Sequence, residues 1–251
     1  TVFWIALILL LQPYEWGRAI YAMINPDYVV ATGHYMPYAI RAQEATANGN
    51  FFEVLCSNIS DGQLYSNIWQ VENGRLFQTA ALFMFGMLLG RRKYLIKSEE
   101  SVRFWKKMLK GAVLAFIPLY CLKTFVPDLL TNPSVQIPYK IAVPSYANFA
   151  FMIILVSIFT LLWFKKEKGY GWQSLLIPYG RMSLTNYISQ FIMGVVIYYG
   201  FGLAMYKYAG ATASLLIALL IFTVQLIFSR WWLARHKQGP LEFLWRKGTW
   251  I

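Results

Sequence analysis

The residues best placed to do chemistry lie in one short stretch, Gly180-Arg181-Met182-Ser183-Leu184-Thr185-Asn186-Tyr187-Ile188-Ser189-Gln190. Helical spacing puts Ser183, Asn186, Gln190 and Gly194 on one narrow stripe, because residues three and four apart share a face. Inside an apolar segment such side chains have two uses: they hydrogen-bond to a neighbouring helix, or they line a cavity for a polar solute. Packing is the commoner use, yet Arg181 at the head of the stripe would give a cavity a cationic mouth. Gln225 and Ser229 form a second pair four residues apart, and the two sets are expected to meet across a helix–helix contact. Near the end of the chain Glu242 and Arg246 stand at i, i+4, the order that favours a helical ion pair. Gly239-Pro240 breaks the chain just before them. This tail reads either as a short amphipathic helix lying on the membrane or as a cap closing a mouth through Glu242 and Arg246.

Other chemistries lack their residues. Cys56 and Cys121 give neither a disulfide framework nor a metal-ligand spacing, so no metal site is expected. His34 and His236 are the only histidines, and the topology below sets them on opposite sides of a membrane, where they cannot share a site. His34, in Thr32-Gly33-His34-Tyr35, has the chemistry of a general base, although a surface histidine is the commoner role. No P-loop, H-E-x-x-H, G-x-S-x-G or G-x-G-x-x-G occurs, and Gly200-Phe201-Gly202 reads as lying inside a membrane span. No cofactor motif is evident.

The elements that must hold these residues follow from composition. Of the 251 residues 58% are apolar and 14% are charged, with a net charge of +12. A soluble chain usually carries about a quarter charged residues, and nucleic-acid binders are rarely this apolar. Three runs are free of charge: Ile141–Phe164, Met182–Tyr206 and Tyr208–Ser229. Each meets the roughly 20 residues a membrane-crossing helix needs. Gly111–Leu122 is shorter but continues to Val126, since Lys123 can snorkel. Leu76–Gly90 has Arg75 and Arg91 at its edges to reach both interfaces, and Thr1–Leu11 reads as the second half of a helix begun upstream. The expectation is an all-α polytopic membrane bundle with about six transmembrane helices, further helices being missing before Thr1. Residues 1–75 would hold a partial helix and an outer loop, with short helices at Trp16–Ile24 and Phe51–Cys56 lying on the bilayer. Residues 76–251 would form a transmembrane domain with basic loops and the amphipathic tail.

The charge sets the threading. Arg91–Lys110 carries eight Lys or Arg, Lys165–Arg181 four, and Arg230 to the end five, against only Glu99, Glu100, Glu167 and Glu242. Basic loops stay in the cytoplasm, so these segments and the C-terminus are expected there and Pro13–Arg75 outside. Lys93–Lys110, with Val102, Phe104, Trp105, Met108 and Leu109 among its lysines, reads as an interfacial stretch on anionic lipid leading into the next helix. The alternative is a surface for an anionic cytoplasmic donor, with Arg91, Arg92 and Lys93 as contacts.

Residues 180–187, Gly200-Phe201-Gly202-Leu203, Gln225 with Ser229 and Trp232, and Gly239-Pro240-Leu241-Glu242-Phe243-Leu244-Trp245-Arg246 together resemble the domain of unknown function 418. This is the C-terminal domain of YeiB-like bacterial inner-membrane proteins. Phe85-Gly86-Met87-Leu88-Leu89-Gly90-Arg91 is similar to that family's glycine-containing helix end followed by arginine. The resemblance implies a multi-pass protein of the bacterial inner membrane. Its relatives' N-terminal half is similar to heparan-glucosaminide acetyltransferases and other membrane acyltransferases, and opens with an Asp-x-x-Arg-Gly-type motif absent here. It implies an acyltransferase-like enzyme passing an acyl group from a cytoplasmic donor such as acyl-CoA to an outer acceptor, with Arg181, Ser183, Asn186, Gln190 and Gln225 near the passage and no catalytic residue assignable. Two alternatives stay open: a small-solute transporter or flippase, which the absence of acids in the spans and of an inverted repeat disfavours, and a non-catalytic membrane scaffold.

Overall fold

Apolar length decides which segments can cross a bilayer. The computed structural model describes residues 1–25, 27–165 and 171–249, and among these the regular structure is helical, without a strand. In chain order the α-helices are α1 (Val2–Leu10), α2 (Pro13–Ile24), α3 (Met36–Asn48), α4 (Phe51–Ser57), α5 (Gln63–Glu72) and α6 (Arg75–Arg91). They continue with α7 (Glu99–Phe125), α8 (Pro133–Lys165), α9 (Gln173–Arg181), α10 (Ser183–Tyr198), α11 (Ala211–Leu233) and α12 (Pro240–Thr249). Among the described residues three stretches are long and apolar enough to span: α7 with the turn after it (31 residues), α8 (33 residues) and α11 (23 residues). The protein is therefore an all-helical membrane protein. The other three expected spans are shorter, with α1 running 9 residues, α6 17 and α10 16, against the roughly 20 that cover the hydrocarbon core.

The shortening of α10 has a local cause. Tyr199 turns extended, and the Leu203 N–H donates back to the Val196 carbonyl at 2.8 Å. Gly200-Phe201-Gly202 thus forms a turn beyond the helix rather than part of a span. A Cβ on Gly202 would run into the Val196 carbonyl, and one on Gly200 into the Ala47 carbonyl. The Gly200 N–H donates to Thr46 O at 2.9 Å, tying this turn to the end of α3.

Contacts divide the chain into two units, residues 1–36 with 64–165 and residues 37–63 with 166–251. This division runs differently from the break expected at residue 75. In the first unit α7 and α8 pack along one another. The buried positions of α8 are mostly small: Ala142, Ala147, Ala150, Ser157 and Thr160 among them. Small residues let helices approach where lipid offers no competing hydrophobic drive.

The structure adds detail to two readings of this unit. The basic stretch Lys93–Lys110 runs into α7, most of it lying within the helix. Ser98 caps α7, its Oγ accepting the Ser101 N–H at 3.0 Å, and Glu99 and Glu100 fill the first turn, where a carboxylate offsets the helix dipole. Lys106, Lys107 and Lys110 therefore ride the start of one continuous helix, whose own Trp105 is buried with its Nε1 donating to Tyr94 O at 2.8 Å. Trp16–Ile24 lies in the short helix α2, with Ala19 and Ala22 buried and Ile20, Met23 and Ile24 exposed. Helix α2 packs on α8 through Ala19, Ala22 and Val135, and Trp16 Nε1 donates to the Tyr146 hydroxyl at 2.7 Å. Glu15 is fully buried in this contact, 3.3 Å from Arg18; burial raises its pKa and the guanidinium opposes the rise. In the second unit α9 and α11 pack together, and α10 touches α9, α11 and α12. Lys166, Glu167 and Lys168 of the second basic segment lie outside the described residues.

Candidate functional site

The second unit holds two polar assemblies, one inside and one at the rim. The inner one joins α9, α10 and α11. Asn186 Nδ2 donates to the Tyr179 carbonyl and to Ser229 Oγ, each at 3.0 Å, and the Ser229 hydroxyl lies 3.2 Å from Asn186 Oδ1. Gln225 Nε2 donates to the Asn186 carbonyl at 2.8 Å and to Ser189 Oγ at 2.9 Å, while its Oε1 accepts the Tyr179 hydroxyl at 3.3 Å. Asn186, Gln225 and Ser229 are buried. Both amide N–H groups of Asn186 and of Gln225 are thus used within the protein, which leaves them no donor for a solute.

The face of α10 that turns inward is Met182, Thr185, Asn186 and Ser189, shifted from the expected stripe. Ser183 and Gln190 are exposed. Ser189 and Gln190, three and four residues beyond Asn186, could equally have completed a stripe by spacing alone, and helix packing chose Ser189.

The rim assembly caps α10. This helix begins at Met182 with no side-chain cap and no acid in its first turn, so its leading N–H groups need partners from elsewhere. Glu242 of α12 supplies them: its Oε1 accepts the N–H of Leu184 at 2.9 Å and of Thr185 at 3.1 Å, and its Oε2 accepts the Thr185 hydroxyl. Thr185 Oγ1 in turn accepts the Leu241 N–H at 3.2 Å. Burial by itself would raise the Glu242 pKa, but the hydrogen bonds from the Thr185 hydroxyl and the backbone N–H groups outweigh it and hold the carboxyl below its ordinary value. The expected Glu242–Arg246 ion pair does not form, because the carboxylate is turned onto the helix end instead; among the described residues no ion pair involves either group.

The loop between α11 and α12 is fastened at the same place. Arg181 Nη2 donates to the Lys237 carbonyl at 2.9 Å, and Trp232 Nε1 donates to the Gln238 carbonyl at 3.0 Å. Gly239 is required here, since a Cβ would strike the Glu242 carboxylate and Thr185 Oγ1. Between these parts opens a pocket of about 620 Å³ lined by Arg181, Leu184, Lys237, Gln238, Glu242, Trp245 and Arg246. Three of the lining side chains are cations, and the one carboxylate is engaged by the α10 backbone. An open pocket with that balance attracts an anion, and guanidinium forks suit phosphate or carboxylate oxygens.

Of the residues singled out by sequence, the structure thus gathers Arg181, Glu242 and Arg246 at the rim and places Asn186 and Gln225 in the interior network. Arg91, Arg92 and Lys93 lie exposed at the end of α6 in the first unit, with Lys93 at φ 56°. His34 faces Glu72, its Nδ1 2.5 Å from the carboxylate. Lys237, Trp245 and Thr185 escaped the sequence reading. A signal for Thr185 and Glu242 existed: a helix start without an acid or a capping side chain requires a partner from elsewhere in the fold.

A model of the family described as protein of unknown function (DUF418) matches residues 89–251. Among curated relatives, the uncharacterized protein YxaH of Bacillus subtilis is 40% identical over 72 residues, 29% of this chain and 18% of that protein. An uncharacterized 39.9 kDa protein in the amylase 3' region of Bacillus acidopullulyticus is 43% identical over 76 residues, 30% of this chain and 21% of that protein. The uncharacterized protein YeiB of Escherichia coli is 36% identical over 70 residues, 28% of this chain and 18% of that protein. The chain thus spans about a fifth of the length of each of these relatives in the matched segments. No solved structure matches. The chain belongs to the DUF418 family.

Proposed function

We propose that this DUF418 protein is an acyltransferase-like enzyme of the bacterial cytoplasmic membrane, and that the rim pocket receives the anionic part of its acyl donor, of the acyl-CoA class. The observation that carries the reading is the convergence of Arg181, Lys237 and Arg246 on one pocket whose only acid, Glu242, is spent on the end of α10. Phosphate groups would meet the two guanidinium groups and the ammonium, and the Trp245 indole and Leu184 offer an aromatic and an apolar wall to the rest of the donor. The positive-inside pattern puts this rim in the cytoplasm, together with the C-terminus. Arg91, Arg92 and Lys93, exposed on the first unit, serve as contacts for anionic lipid, each worth about 1 kcal/mol near such a surface. The reaction class comes from the family resemblance, and the pocket supplies the donor chemistry.

Calorimetric titration of the full chain in detergent with CoA tests this directly. The expected result is saturable binding that weakens about tenfold or more in the Arg181→Ala/Arg246→Ala double variant, in line with the loss of two charge-assisted contacts. Binding of equal strength in the double variant would remove the pocket from the account.

A further inference from the structure

The first unit carries a second arrangement that the donor pocket does not use. Glu72, the last residue of α5, accepts three hydrogen bonds from one turn: the Gly33 N–H at 2.9 Å, the His34 N–H at 3.2 Å, and the His34 ring Nδ1 at 2.5 Å. Gly33 makes the turn possible with φ +85°, a conformation that side chains disfavour. The two backbone bonds would hold the turn with any residue at position 34, so the ring contact adds something a clasp does not need. A carboxylate only accepts, so Nδ1 carries the proton and Nε2 is left as the acceptor. The carboxylate side chain is only 13% exposed and the imidazole 64%. A half-buried orienting acid behind an accessible imidazole is the arrangement of a general base. The ring of Tyr35, the next residue in the chain, lies with its centre 5.9 Å from that of Tyr65.

We propose that His34 and Glu72 form a base–carboxylate dyad that deprotonates the hydroxyl or amine of an acyl acceptor; this rests on the acyl-transfer reading for the reaction it serves. The acceptor's O–H or N–H gives its proton to His34 Nε2 as its lone pair attacks the carbonyl carbon of an acyl ester or thioester. The new C–O or C–N bond forms, the bond to the alkoxide or thiolate breaks, and the departing group takes the proton back from the imidazolium. Glu72 holds the ring in one tautomer and stabilises the imidazolium; it is a positioning residue. Sequence alone left His34 as a surface residue because Glu72 lies far away in the chain.

The test uses p-nitrophenyl acetate, an activated ester that makes no demand on the donor pocket, with water as acceptor: water gives its proton to His34, attacks the carbonyl, and p-nitrophenolate leaves. In the full chain His34→Gln is expected to lower the protein-dependent rate about tenfold or more, within the usual range for a general base. Glu72→Gln lowers kcat about threefold or more with KM unchanged, as loss of orientation without loss of binding requires. CoA affinity is the converse readout, falling in the Arg181→Ala/Arg246→Ala variant and unchanged in His34→Gln. A wild-type rate in His34→Gln would overturn the dyad even if CoA binds as expected. A rise in KM with unchanged kcat in Glu72→Gln would overturn the positioning role. If CoA fails to bind while His34→Gln still abolishes the esterase, the pocket reading falls and the dyad stands.

Discussion

The interior network and the rim pocket of the second unit are both built from polar side chains on α10 and its neighbours, and they are satisfied in opposite ways. Inside, the amide donors of Asn186 and Gln225 are consumed by carbonyls and hydroxyls of α9, α10 and α11. At the rim, a single carboxylate is consumed by a helix end while the cations around the pocket are left facing an opening. Polarity in a membrane protein is therefore a poor guide to ligand binding until the hydrogen bonds are counted. A saturated network fixes how helices pack, and unneutralised charge beside a cavity is what recruits a ligand.

The largest effect expected from breaking this contrast is at Asn186. Asn186→Leu leaves the buried Ser229 hydroxyl without its Asn186 partner and takes from the Tyr179 carbonyl one of its two donors, the Met182 N–H remaining, a loss of about 1–3 kcal/mol. Thermal unfolding in detergent should show a clear fall in Tm, while CoA affinity of the folded fraction stays unchanged. Gly239→Ala comes next. Its methyl group displaces a carboxylate pinned by several hydrogen bonds, costing about 1–2 kcal/mol, the scale of a lost helix cap. Limited proteolysis should then cut faster between Arg235 and Leu241.

Glu242→Gln is expected to cost about 1 kcal/mol at neutral pH, since a neutral amide makes weaker bonds to the α10 N–H groups than a carboxylate does. The folded-state carboxyl titrates below its unfolded value. Its stabilisation is therefore fully present above the unfolded-state pKa of about 4.3 and is lost as the pH falls through the lower folded-state value. Unfolding midpoints of the wild type and Glu242→Gln should differ at neutral pH and converge only in strong acid. Smallest of all is Gln190→Leu, exposed and outside both assemblies, which should change stability by less than about 0.5 kcal/mol. A large loss there would mean that the stripe read from spacing, rather than the observed network, organises α10.

Much of the fold was legible because apolar length is a direct physical signal. The cores of α6, α7, α8 and α11 fall where charge-free runs or basic edges put them, and the Asn186 and Ser229 side chains do meet across the α10–α11 contact. What spacing could not supply was rotation and reach. A stripe through Asn186 is compatible with either Gln190 or Ser189, and only the position of Gln225 decides between them. Glu242 and Arg246 had the right separation for an ion pair, but a helix end without a cap in a neighbouring element outcompeted the local partner. The turn at Gly200 was hidden because glycine and aromatic residues are as apolar as a span, and the backbone contacts to Ala47 and Val196 that end the helix are not written in hydropathy. Glu15 was read as part of an outer loop because a lone acid near a chain bend gives no hint of the α8 surface that buries it.

Hydrogen–deuterium exchange of the full chain with and without CoA tests the contrast most directly. Protection is expected in residues 181–185 and 237–246, with exchange at 225–229 unchanged because that network is already closed. Protection at 225–229 without any at the rim, or no protection in either region, would contradict the account.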